Sequence, residues 1–97
     1  MSQLREGFRY SRIVNDRQDR QFDEIIAGVA NNRLSKSEFL RLMQEQKAIR
    51  ARERGFMNDR FMNEDEFRKL NRSLDIADRN IRVAKQNGHS QRYSSSR

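Results

Sequence analysis

The strongest constraint on this chain is a pattern that it uses twice. Asn31-Asn32-Arg33-Leu34-Ser35-Lys36-Ser37-Glu38-Phe39-Leu40-Arg41-Leu42 and Asp59-Arg60-Phe61-Met62-Asn63-Glu64-Asp65-Glu66-Phe67-Arg68-Lys69-Leu70 align position by position, 28 residues apart. Each copy sets down a polar pair, one further residue, an apolar residue and a small polar residue, then Glu-Phe with Leu three positions on. This is how a loop turns into a helix. Ser35 or Asn63 accepts from the free amides of the first turn, while Glu38 or Glu66 reaches back to the amide of the cap residue. The two loops therefore join three helices, and Ser35, Glu38, Asn63 and Glu66 are read as structural helix caps.

Periodicity bounds the helices at about residues 16–30, 36–57 and 64–87. In the first, Phe22, Ile25, Ile26 and Val29 recur at i, i+3, i+4 and i+7, the spacing of one helix face. In the second, Phe39, Leu42, Met43, Ile49, Phe56 and Met57 form a stripe interrupted by Gln46. The third has the cleanest seam: Phe67, Leu70, Leu74, Ala77, Ile81 and Ala84 alternate spacings of three and four. The chain has no proline, the strongest helix breaker, and only 4 glycines. The expected fold is all-α, with helices 2 and 3 as an antiparallel hairpin, because only about six residues connect them. A shorter first helix extends the hairpin.

At 97 residues this is a single domain, expected over residues 15–88. Residues 1–14, with Arg5, Phe8, Arg9, Tyr10 and Arg12, lack sustained periodicity and read as a flexible basic and aromatic arm. Asn87-Gly88 is a natural left-handed stop. Residues 89–97 have nothing to bury and are expected to be a disordered tail.

Charge is the second constraint. Lys and Arg number 21 against 14 Asp and Glu, a formal net charge of +7, and the mean hydropathy is −1.14. Such a balance suits nucleic acid, anionic lipid or another acidic polymer, or a simple solvated basic surface. On the third helix the charges are expected to neutralise one another at i, i+4: Glu64 with Arg68, Asp65 with Lys69, Asp75 with Arg79 and Asp78 with Arg82. The second helix differs. Lys47, Arg50, Arg52 and Arg54 crowd its latter half against Glu45 and Glu53, which makes them the candidate anion-binding or partner-binding residues.

Little in the chain suits catalysis. Without cysteine there is no disulfide framework, thiolate zinc site or cysteine nucleophile. His89, the one histidine, falls in the expected tail, and the carboxylates are placed on helix surfaces beside Arg and Lys. No glycine-rich loop is present to cradle a phosphate, so no catalytic residue and no cofactor is expected.

The two loops have an EF-hand-like spacing, an apolar residue four before a glutamate in both. Taking Glu38 and Glu66 as the twelfth loop position puts Ala27, Val29 and Asn31, or Gly55, Met57 and Asp59, at the first, third and fifth. Calcium needs several oxygen ligands there and the apolar side chains supply none, while the glycine expected at the sixth position is Asn32 or Arg60. The loops are therefore read as non-calcium loops, with no metal site. Leu34 and Met62 are expected to face each other and pair the loops.

With Asn32-Arg33-Leu34-Ser35-Lys36-Ser37-Glu38, Asp59-Arg60-Phe61-Met62-Asn63-Glu64-Asp65-Glu66 and the stretch from Leu70 to Asn87 in hand, the chain resembles a family of small, mostly uncharacterised bacterial proteins, many of them exported to the periplasm. That family reads as a helix, a Gly-x-Leu-Thr-x-x-Glu loop, a helix rich in Gln and Arg, an Asp-Gly-x-Leu-Thr-x-x-Glu loop and a last helix. The similarity spans about residues 20–88. It implies export, and it carries no established activity. This chain departs from the family where Asn32 and Arg60 replace the loop glycines and Gln86 replaces a histidine.

The function expected from these observations is a non-catalytic helical interaction module of the bacterial cell envelope, of stress-related or chaperone-like type. Its partners would be protein, either an envelope component or a second copy in a homodimer. The alternative is nonspecific binding of nucleic acid or another anionic polymer. No apolar run approaches a membrane span. The location is expected to be periplasmic if a signal peptide has been removed, and cytoplasmic if Met1 is the native start.

Overall fold

The computed structural model describes residues 2–57 and 62–95, with side chains described for 8–57 and 62–86. Over this range the protein is all-α: α1 spans Ser2–Ala30, α2 Lys36–Met57 and α3 Glu64–Ser95. Val14, Ile49, Met62, Leu70, Leu74 and Ala77 form one apolar cluster, while Ile25, Leu34, Leu42, Ile81 and Ala84 form a second. The order of these residues along each helix fixes the directions. α2 runs opposite to α1 and α3, and the three lie side by side as a rod of 61 × 18 × 17 Å.

The first helix begins at Ser2, not near residue 16, and with 29 residues against 22 for α2 it is no short extension of a two-helix hairpin. Its first half is docked where side chains are described. Tyr10 stacks on Phe67 with ring centroids 4.3 Å apart, Ser11 Oγ donates to Glu53 at 3.2 Å, and Val14 is fully buried. Apolar periodicity misses this stretch because two of the inward positions are glutamines: among the described residues, Val14, Gln18, Gln21, Ile25 and Gly28 are the buried ones of α1. Of the expected face of Phe22, Ile25, Ile26 and Val29, Ile25 is fully buried, while the other three are displaced from this stripe and stay partly exposed. α3 likewise runs through Asn87-Gly88 to Ser95, since one glycine costs a helix only about 1 kcal/mol and no proline follows. The side chains of His89 and of the remaining tail lie outside the described residues, as do Asp59 and Arg60 of the second loop.

Both helix starts carry reciprocal caps. The Ser35 amide donates to Glu38 Oε1 at 2.9 Å and the Glu38 amide donates to Ser35 Oγ at 3.2 Å. At α3 the Asn63 amide donates to Glu66 Oε1 at 3.1 Å and the Glu66 amide to Asn63 Oδ1 at 2.8 Å. Leu34 and Met62 do not face each other. Each closes a different apolar cluster, because α2 separates the two loops by about 33 Å at 1.5 Å per residue.

The end of α1 is closed by a six-residue turn in which the Arg33 amide donates to Gly28 O at 2.8 Å and the Asn32 amide to Val29 O at 3.1 Å. This is the Schellman arrangement, and it puts Asn32 at its left-handed position with φ 59°. Gly28 leaves room for the chain to return: a Cβ there would lie 2.8 Å from Leu34 Cδ1. Replacing Asn32 by Gly should leave the fold intact, while Asn32→Val, β-branched and strained at positive φ, should destabilise it by about 1–2 kcal/mol. Urea unfolding of the two variants checks this.

Candidate functional site

Between the two apolar clusters the bundle is crossed by polar side chains. Gln18 Nε2 donates to the Gln46 carbonyl at 3.0 Å and to Gln46 Oε1 at 3.1 Å. Gln46 Nε2 donates to Gln21 Oε1 at 2.7 Å, and Gln21 Nε2 donates to Leu74 O at 2.8 Å and Asp78 Oδ1 at 2.9 Å. Arg17 closes the network from outside: its guanidinium lies 2.7 Å from Asp78 and 2.9 Å from Asp75, and donates to Asn71 Oδ1 at 3.0 Å. Asp75 and Asp78 therefore pair with α1, not with Arg79 and Arg82 four residues on, because Arg17 Nη2 lies between the two carboxylates while its Nη1 is held by Asn71. At the start of α3, Arg68 holds Glu64 at 3.2 Å and stands 3.9 Å from Asp65.

One atom of this network is left over. Gln18 is 2% exposed, and its Oε1 is buried without a hydrogen-bond partner. Turning the amide over would not help, since its nitrogen already faces two acceptors.

Gln18 and Gln46 also form the floor of a cavity of about 320 Å³ in the groove between α1 and α2. Asp19 and Phe22 stand on the α1 wall, with Met43, Lys47 and Arg50 on the α2 wall. The spacing i, i+4, i+7 carries the α1 wall on from Phe22 through Ile26 and Val29, which are 43%, 43% and 40% exposed. On α2, Arg54 follows Arg50 one turn on and is exposed. Among the described residues, Asp19, Lys47, Arg50 and Arg54 make no ion pair.

The four cations singled out on α2 are thus not one face. Arg52 sits about 200° round the helix from Arg50, where it donates to Ser73 Oγ of α3 at 3.3 Å and lies 6.0 Å from the Phe56 ring. The neighbouring groove between α2 and α3 is already bridged, because Asn80 Nδ2 donates to both Glu45 oxygens at 3.2 and 3.0 Å. Nor do all carboxylates lie on the surface. Glu38 and Glu53 are buried, the first in its capping pair and the second on the inward stripe with Leu42, Gln46 and Ile49.

A second basic hollow escapes the sequence reading. Arg33, Arg82, Lys85 and Gln86 line a cavity of about 340 Å³ beside the first loop. The one signal for it is Arg17, whose claim on Asp78 leaves Arg82 without the acid expected to neutralise it.

No protein-family model matches the chain, and no curated protein or solved structure matches it either. Among the described residues no group of three or more His, Asp or Glu side chains is placed to hold a metal, and no helix is long and apolar enough to cross a membrane. The arrangement offers an amphipathic groove with an acidic edge, a basic edge, an apolar run and a polar floor.

Gln46 both accepts and donates within the network, so Gln46→Ala should strand Gln21 Oε1 and open a void, costing about 2–4 kcal/mol. Replacing Gln18, Gln21 and Gln46 together by Leu removes the amides that bond to one another, leaves Asp78 paired with Arg17, and should stay within about 1–2 kcal/mol of the parent. Urea midpoints at constant m-value separate the two outcomes.

Proposed function

We propose that this chain is a non-catalytic helical interaction module that binds protein through the groove between α1 and α2. The observation that carries this reading is the displacement of the α1 apolar stripe. Phe22, Ile26 and Val29 have the spacing of a buried helix face, yet glutamines take the inward positions and leave the three apolar side chains in contact with water. Scattered apolar residues on a surface need no explanation, but an ordered run beside a cavity marks an interaction surface. A bacterial cell-envelope setting, with a stress-related or chaperone-like role, is supported by the resemblance of the two loops.

A photoreactive phenylalanine analogue in place of Phe22, in the cell that makes the protein, should give a discrete covalent adduct, whereas the same analogue in place of Arg72 on the outer side of α3 should not. Equal labelling at both positions, or none at Phe22, would remove the reading.

Nonspecific binding to nucleic acid or another anionic polymer is the second reading, and the hollow lined by Arg33, Arg82 and Lys85 favours it. Such binding should weaken with salt at a log-log slope near −0.9 for each phosphate neutralised on duplex DNA. Arg33→Gln with Arg82→Gln should then lower the slope by about two units. Absence of any gel retardation at low salt, with protein above the weak end of nonspecific affinity, about 10⁻⁴ M, eliminates this alternative.

A further inference from the structure

We infer that the occupant of the groove between α1 and α2 is a second copy of this chain, the two copies related by a two-fold axis that runs along the groove. The inference rests on the proposed role as an interaction module and names its partner.

The two walls carry opposite charge. On α1 the exposed carboxylate Asp19 stands in the groove, and on α2 the exposed cations are Lys47, Arg50 and Arg54. An occupant that is uniformly acidic, such as nucleic acid or an anionic lipid surface, leaves Asp19 on α1 unmatched, while a uniformly basic one meets repulsion from α2. The fitting partner has one wall of each sign, in mirrored order across the groove. This chain has that surface itself.

The levels also agree. Asp19 and Lys47 line the same cavity and so stand at the same height along the bundle. A two-fold axis parallel to the groove keeps height unchanged and exchanges sides, laying α1 of each copy over α2 of the other. Asp19 then faces Lys47 of the second copy. Because α1 and α2 run in opposite directions, Arg50, one turn on from Lys47, comes level with Asp16 on the outer side of α1 of the second copy. Towards the other end the α1 stripe of Phe22, Ile26 and Val29 meets Met43 and Phe39, both half-buried in the single copy. The contact is isologous and closes on itself, so it gives a dimer and not a filament.

Two further features fit this occupant. Gln18 holds a buried acceptor without a donor beside the wall to which the second copy brings Lys47 and Arg50, residues that carry only donors. The side of a rod 61 Å long and 18 Å wide also has room for the roughly 800 Å² per partner that a stable interface buries.

Sedimentation velocity of the full chain over a range of concentrations tests the inference. The wild type is expected to show a concentration-dependent monomer–dimer equilibrium, and Ile26→Glu, at an exposed position, should abolish the dimer while keeping the far-UV circular dichroism of the parent. Asp19→Lys and Lys47→Glu should each weaken association by about tenfold or more, and the double exchange should recover most of the loss, as only a direct pairing between copies allows. A wild type that stays monomeric at hundreds of micromolar overturns the inference, as does a double exchange no better than the single ones. The mass of the adduct formed from the Phe22 position separates this failure from that of the broader reading: twice the chain mass supports the second copy, a different discrete mass refutes it while leaving the interaction module standing, and no adduct refutes both.

Discussion

The hydrogen-bond chain from Gln18 through Gln46 and Gln21 to Asp78 touches all three helices, and the packing on either side depends on it. Apolar side chains grip one another without direction, so two helices lined with Leu and Ile can slide or rotate by a turn at small cost. A buried amide cannot, because moving it strands donors and acceptors at about 1–3 kcal/mol each. Two glutamines from α1 and one from α2, tied to a carbonyl and a carboxylate on α3, therefore set the register in which Val14 meets Ile49 and Leu74 at one end and Ile25 meets Leu42 and Ile81 at the other. Arg17 reinforces this from the surface by holding Asp75 and Asp78 with one guanidinium nitrogen.

The same choice of residues accounts for the exposed apolar groove. A helix of α1's sequence has two possible inner faces, one centred on Phe22, Ile26 and Val29 and one on Val14, Gln18, Gln21 and Ile25. The second is taken because it puts Ile25 and Val14 into the core and lets the glutamines find partners, while Arg17, on its flank, reaches the two aspartates. Phe22, Ile26 and Val29 are left at the edge, next to Met43. Specificity within the chain and surface offered to a partner are two results of one rotation of α1 about its axis.

What the sequence made legible follows from which interactions are local. Caps act within four residues, so the starts of α2 and α3 could be read from Ser35 with Glu38 and from Asn63 with Glu66. The α3 seam could be read as well, since Leu70, Leu74, Ala77, Ile81 and Ala84 are apolar at every inward position. α1 was harder because its inward glutamines look like surface residues until their partners on α2 and α3 are known. Of the expected ion pairs Glu64 with Arg68 is present, but those of Asp75 and Asp78 were missed for the same reason: both have basic residues at i+4, yet Arg17, 58 and 61 positions earlier in the chain, places one nitrogen between the two carboxylates. The split of Lys47, Arg50 and Arg54 from Arg52 needed only the helical angle, but which of the two sides is open depends on where α1 and α3 lie.

The polarity of the glutamine network follows from its terminus. A carboxylate and a backbone carbonyl can only accept, so Asp78 and the Leu74 carbonyl together oblige Gln21 to point its nitrogen outward to α3 and its oxygen inward; Gln46 then gives its own nitrogen to that oxygen, and Gln18 gives its nitrogen to the Gln46 side chain and carbonyl. Each amide hands the surplus acceptor to the next, until it emerges at Gln18 as an oxygen with nothing left to bind. The acceptors on α3 thus decide which end of an amide dipole is left over beside the opposite groove, and because the Leu74 and Gln46 carbonyls also can only accept, a neutral amide at position 78 would leave the three glutamines pointing the same way.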